Sequence, residues 1–178
     1  MRDNAEKTLR RAVVVFLIKN GKICLPKKKF KIGAGKRNGY GGGVGDGESW
    51  REAAAREVAE EARIKVWPHE LKKIAHLLCH NTTRNGGEFT YDVAVFAAES
   101  WLGEPRETKE MGKPEWFSFD MIPIKELMLD DRDWLPLTLK EVIQNRSKKI
   151  PLVKSWYGPK QHILLRPTQM IWLKRTEE

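Results

Sequence analysis

The readable pattern begins with an unbroken apolar run, Ala12 to Ile18, whose β-branched residues predict a strand buried on both faces. Asn20-Gly21 follows, a dipeptide suited to a two-residue hairpin turn, and Ile23-Cys24-Leu25 returns as the partner strand. A second strong strand is predicted over Phe89 to Ala97, where Tyr91, Val93 and Val95 alternate with Asp92 and Ala94 after the turn signal Asn85-Gly86-Gly87. Shorter runs predict strands at Ile64 to Trp67, around Leu77-Leu78-Cys79 and at Glu115 to Phe119. Alanine-rich spacing with Arg51, Arg56 and several glutamates predicts a helix from about Glu48 to Ala62. Two further helices are predicted at Pro123 to Leu127 and at Trp134 to Asn145, the second with Pro136 near its start. The tail from Ile150 to Leu173 carries Trp156, Tyr157 and Trp172 and reads as a further pair of edge strands. Mixed strands around two or three helices define an α+β class, an αβα sandwich. One domain over residues 1–178 is expected, with a tail at 1–10 and a C-terminal extension from about 150 packing on it.

Charge changes this picture more than composition does. Residues 1–37 hold twelve Lys and Arg against Asp3 and Glu6, whereas residues 45–62 hold six acids against Arg51 and Arg56. A net charge of +9 calls for an anionic partner, polymer or small phosphate, and the switch to acid suits phosphate together with a metal. Cys24 and Cys79 are too few for a disulfide framework and have no metal-ligand spacing, so a reducing cytoplasm is expected. The run at 12–18 falls far short of the roughly 20 residues of a membrane span. The first residues lack the apolar core of a secretory signal, so no membrane partner is expected.

Eight of the chain's 14 glycines fall between residues 33 and 47. Such a loop needs close backbone approach or positive φ; the alternative, a flexible linker, fits poorly with Tyr40, Val44 and the helix that follows. On that helix Glu57, Glu60 and Glu61 share one side, with Glu48 further back. Repelling carboxylates at this spacing form either a solvated acidic face or a site for a hard divalent cation that takes carboxylate and phosphate oxygens together. The adjacent glycine loop and Arg56, placed to orient Glu57, favour the cation.

Gly42, five residues, Glu48, seven residues, then Arg56-Glu57-Val58-Ala59-Glu60-Glu61-Ala62-Arg63-Ile64 resembles the Nudix box, G-x5-E-x7-R-E-U-x-E-E-x-G-U. Arg63 departs from it, standing where the family has a helix-ending glycine. The segment Gly33 to Gly42, Glu110-Met111, Trp116-Phe117, Ile122-Pro123 and Asp130-Asp131 with Trp134 and Pro136 extend the likeness to the MutT homologue 1 group of oxidised purine nucleoside triphosphatases. That resemblance implies a Nudix fold with a mixed central sheet and flanking helices. It implies Mg²⁺, with Mn²⁺ a substitute, held by Glu57, Glu60, Glu61, the Gly41 carbonyl and Glu110. Glu61 would activate water, and Lys28 and Gly42 would lie against the substrate, Lys28 being otherwise one of a solvated basic run. Asn38, Asp130 and Asp131 would read a purine, with Trp134 in the same pocket; the bland alternative is that the two aspartates cap the next helix. Met128, Cys79 and Ile32 stand where the family has aromatics, leaving base preference open.

The activity implied is hydrolysis of oxidised purine nucleoside triphosphates such as 8-oxo-dGTP to monophosphate and pyrophosphate. The alternatives are another nucleoside diphosphate derivative, a 5′-triphosphorylated RNA end (less favoured), or a silent nucleotide-binding module.

Overall fold

The computed structural model describes residues 8–176. Eight strands form one sheet: β1 (Thr8–Lys19), β2 (Lys22–Cys24), β3 (Tyr40–Gly43), β4 (Lys72–Thr82), β5 (Glu88–Ala98), β6 (Trp116–Ser118), β7 (Lys149–Tyr157) and β8 (Leu164–Lys174). Their order is β6-β2-β1-β5-β4-β7-β8, with β3 also paired to β1. β1–β5 and β4–β7 are parallel and the other pairs antiparallel, so the sheet is mixed.

β1 is apolar from Ala12 to Ile18 because both of its faces are covered there. Val13, Val15 and Leu17 face α1 (Trp50–Ala62) and meet Ala53, Ala54, Val58 and Ala62. Phe16 and Ile18 belong to the opposite core, with Trp134, Leu135, Leu139 and Val142. The Asn20-Gly21 turn forms as expected, both residues at positive φ (53° and 70°), and sets Ile18 opposite Ile23.

Several expectations need correcting. β1 begins at Thr8, inside the expected tail; residues 1–7 lie outside the described residues. Ile64 to Trp67 makes one bridge, Lys65 with Leu102, and Pro68 then opens a 3₁₀ turn in place of a strand. Pro123 to Leu127 is a single 3₁₀ turn, Ile124–Glu126. The helix expected at 134–145 is α2 (Asp131–Thr138), continued by a π-helical turn, Leu139–Gln144. Its early start places Asp133 in the first turn, favoured by the helix dipole, and leaves Pro136 in the interior. β7 is an interior strand, pairing with β4 on one side and β8 on the other, so of this expected pair β8 alone is an edge. Strand β3, three of whose four residues are glycine, carries no hydrophobic pattern and was not foreseen.

Arg37, 6% exposed, ties the glycine loop to distant segments. It donates to Leu25 O (2.9 Å), Glu115 Oε2 (3.1 Å) and Glu126 Oε2 (2.5 Å), while its backbone N–H donates to Glu126 O (2.8 Å).

Candidate active site

The acidic end of the site depends on β3 lying unusually close to its neighbours. A Cβ on Gly41 would stand 2.0 Å from Val13 O, and one on Gly42 would stand 2.5 Å from Glu57 Oε1, so side chains are excluded at both positions. With none there, the Gly41 N–H donates to Glu61 Oε2 at 2.8 Å.

α1 is started by a capping box, Ser49 with Glu52, so Glu48 lies just before the helix and not on it. Glu48 accepts the Gly45 N–H (2.8 Å) and a two-pronged contact from Arg56, Nε at 2.8 Å and Nη2 at 3.0 Å. Arg56 also donates to Glu57 Oε1 (2.6 Å) and Gly43 O (2.9 Å), the orienting role expected of it. These contacts pull the Glu48 carboxyl down to about 2. Glu57 and Glu61 are buried, whereas the Glu60 side chain is 60% exposed. Burial raises Glu57, with Arg56 opposing. Burial, with Glu57 and Glu110 adding repulsion, lifts Glu61 to about 7 against the Gly41 hydrogen bond and Lys28.

A cavity of about 720 Å³ runs from this end to a second cluster of polar groups. Lys28, Asn38, Gly41, Gly42, Glu61, Glu110, Asp130, Asp131 and Trp134 all line it; Arg56, Glu57 and Glu60 stand outside the lining. Lys28 is not part of a solvated run: burial lowers its pKa and Glu61 opposes the shift, while Lys27 and Lys29 pair outward with Glu126 (3.6 Å) and Glu107 (2.8 Å). Asn38 Oδ1 accepts the Gly39 N–H at 2.8 Å, which leaves its amide N–H groups for a ligand.

Asp130 sits at the N-cap position of α2 but makes no side-chain cap bond, which excludes simple capping. Its carboxylate accepts from Ser155 Oγ (2.9 Å), Tyr157 OH and Cys79 Sγ (3.7 Å). Asp131 has one partner, Trp134 Nε1–H at 3.0 Å. Burial raises both aspartates. Asp131, also repelled by Asp130 and less well supplied with donors, rises further. Burial and Asp130 also raise the Cys79 thiol. Met128 and Ile32 line an adjoining lobe of about 640 Å³ with Gly33 and Gln161, so flexible aliphatic walls replace the aromatics.

Four polar residues join the site without having been expected there: Asn81, Ser155, Gln161 and Tyr157, the last expected only on an edge strand. Ser155 and Tyr157 carry a signal, being polar groups in register with Val153 on the core face of a strand; Gln161, on a loop, carries none.

Residues 8–138 match the NUDIX domain, and the chain belongs to the Nudix hydrolases. It is 37% identical over 134 residues to the oxidized purine nucleoside triphosphate hydrolase of Danio rerio and 36% identical over 134 residues to that of Mus musculus. Both alignments cover 75% of this chain and 82% of the relative. Among solved structures, a MutT Nudix hydrolase from Burkholderia pseudomallei superposes with TM-score 0.63 at 25% identity, covering 76% of this chain and 99% of that one. A mutator MutT protein from Bacillus halodurans shares the fold with TM-score 0.70 at 21% identity, over 90% and 97% of the two chains. Arg63 keeps the left-handed helix exit of the family's glycine, at φ 59° and ψ 33°.

Proposed function

We propose that the chain hydrolyses purine nucleoside triphosphates, oxidised forms such as 8-oxo-dGTP among them, to monophosphate and pyrophosphate with a divalent cation. One observation carries this reading: a single cavity joins Lys28, Glu61 and Glu110 at one end to Asn38, Asp130 and Asp131 at the other. The zebrafish and mouse relatives support it through the activity in their names.

The donor set fits Mg²⁺, or Mn²⁺ in its place, since hard carboxylate oxygens gather at a backbone cradle with no thiolate among them. Among the described residues no three acidic, His or Cys side chains close into a ready-made cage. That suits a cation whose remaining positions go to water and phosphate oxygens. Glu57, Glu60, Glu61, the Gly41 carbonyl and Glu110 would hold it, and when bound it would screen phosphate charge and acidify a water. Glu61, at the acidic end of the cavity beside the Gly41 N–H, is placed to take the proton of the attacking water as a phosphorus–oxygen bond breaks and pyrophosphate leaves. Lys28 meets the anionic oxygens, and Arg56 holds Glu57 in place. At the base end Asp130 accepts from purine N–H groups while protonated Asp131 donates to a carbonyl.

The test offers purified protein and Mg²⁺ a panel of 8-oxo-dGTP, 2-oxo-dATP, dGTP, ADP-ribose and 5′-triphosphorylated RNA, with products separated by chromatography. Monophosphate plus pyrophosphate, formed preferentially from the oxidised purines, is the expected result. Turnover of ADP-ribose or RNA alone would transfer the same chemistry to another substrate and end the nucleoside triphosphate reading.

A further inference from the structure

One wall of the cavity lies beyond residue 138, where the family match stops. It is the loop between β7 and β8. Lys160 and Gln161 there take consecutive left-handed backbone angles (φ 56° and 59°), a conformation that persists only where its surroundings impose it. Hydrogen bonds from Gly158 N–H to Ile163 O (3.0 Å) and from Gln161 N–H to Gly158 O (3.1 Å) close the loop. The result sets the half-buried Gln161 against the cavity, together with Met128, Asp130 and Asp131.

The Gln161 amide cannot turn over freely. Buried Asn81 donates through Nδ2 to the Cys79 carbonyl at 2.7 Å, so it offers Oδ1 to its other neighbour, and Gln161 Nε2 donates to that oxygen at 2.8 Å. Reversing Gln161 alone would set two oxygens against each other, and reversing both amides would set Asn81 Oδ1 against the Cys79 carbonyl. The relay leaves the Gln161 carbonyl oxygen and its second N–H for a ligand.

Cys79 and Asn81 lie two residues apart on one face of β4, about 7 Å along the strand. Cys79 touches Asp130 at 3.7 Å and Asn81 holds Gln161, so carboxylate and amide are anchored two residues apart on one strand face and line the same cavity. An unmodified purine offers a bare N7 lone pair on its imidazole edge. An 8-oxo purine carries a proton on N7 and a carbonyl at C8. A carbonyl oxygen locked toward that edge accepts from N7–H and repels the bare lone pair, while the amide's second N–H suits the C8 oxygen. We infer that Gln161 is a specificity-determining residue, reading the imidazole edge of the bound base and favouring 8-oxidised purines over unmodified ones. This rests on the purine reading of the cavity, with Asp130 and Asp131 at the other edge.

The test measures kcat and KM for 8-oxo-dGTP, dGTP, 8-oxo-dATP and dATP in the unaltered chain, in Gln161→Ala and in Gln161→Met, which keeps the side chain's length should Ala disturb the loop. In both variants the ratio of kcat/KM for oxidised over unmodified nucleotide should fall about tenfold, a hydrogen bond's worth. The fall should come chiefly through KM and be equal in the guanine and adenine series, which share that edge. An unchanged ratio, an equal loss on all four nucleotides, or a loss confined to guanine would overturn the role of Gln161 while leaving the purine reading intact. If the unaltered chain turns over none of the four, the purine reading fails and this inference with it.

Discussion

At the scale of single residues the site separates two kinds of carboxylate. Glu61 is held among other acids beside a backbone N–H, and burial raises its carboxyl in the metal-free chain. Glu61→Gln should lower kcat by about 10²–10⁴-fold, as expected when a positioned base is removed, and leave nucleotide binding measurable by titration. A variant turning over at nearly the normal rate would take that role from Glu61. Asp131 is raised by burial and by Asp130, with the Trp134 Nε1–H opposing. A carboxyl with a raised folded-state pKa adds stability that is complete below the ordinary carboxylate range and is lost as pH climbs through its raised value. Asp131→Asn has no such titration. Its melting temperature relative to the unaltered chain should therefore rise steadily from pH 5 to pH 9; a difference independent of pH would show Asp131 already ionised in the folded state.

At the scale of elements, what was legible depended on whether a segment's reason for existing lies within itself. β1 and β5 announce themselves because burial demands apolar residues at fixed intervals. The glutamate-bearing helix does so through its alanine-rich spacing, while its start lies at the Ser49–Glu52 cap, past the Glu48 expected. β3 has no such signal, since its glycines are there to let the chain approach Val13 and Glu57. Ile64 to Trp67 has strand-like residues but finds a single bridging partner at Leu102. Asp130 was recognised, yet the donors that hold it come from Ser155 and Tyr157, 25 and 27 residues away, on a strand whose neighbour no local pattern names. The helix exit at Arg63 is another such element. Left-handed angles cost a side-chain-bearing residue about 1–2 kcal/mol, and glycine's extra unfolded-state freedom gives back about 0.5–1 kcal/mol of any gain. Arg63→Gly should therefore stabilise the chain by roughly 0.5–1 kcal/mol, about 1–4 °C in a thermal melt. A lower melting temperature would mean that the Arg63 side chain contributes more than its backbone costs.

For the whole molecule, β7 and β8 continue the central sheet past the matched family region instead of forming an appendage. β7 buries Ile150, Val153 and Tyr157 and supplies Ser155 to Asp130. A chain ending at Lys148 should lose cooperative thermal unfolding and its near-ultraviolet circular dichroism. Retention of both would show the remaining six strands to be self-sufficient without the last hairpin.

The Arg37 guanidinium bears on the same question from the other side. It sits at the start of the glycine segment and grips Glu126, four residues before the aspartate pair. One cation outside the cavity thus acts as a caliper, setting the separation between the jaw that would clasp a triphosphate and the jaw that would clasp a base. Changes in which nucleotide such a scaffold prefers can therefore arise from lesions that never meet the nucleotide, and a search for altered variants should extend to Arg37, Glu115 and Glu126.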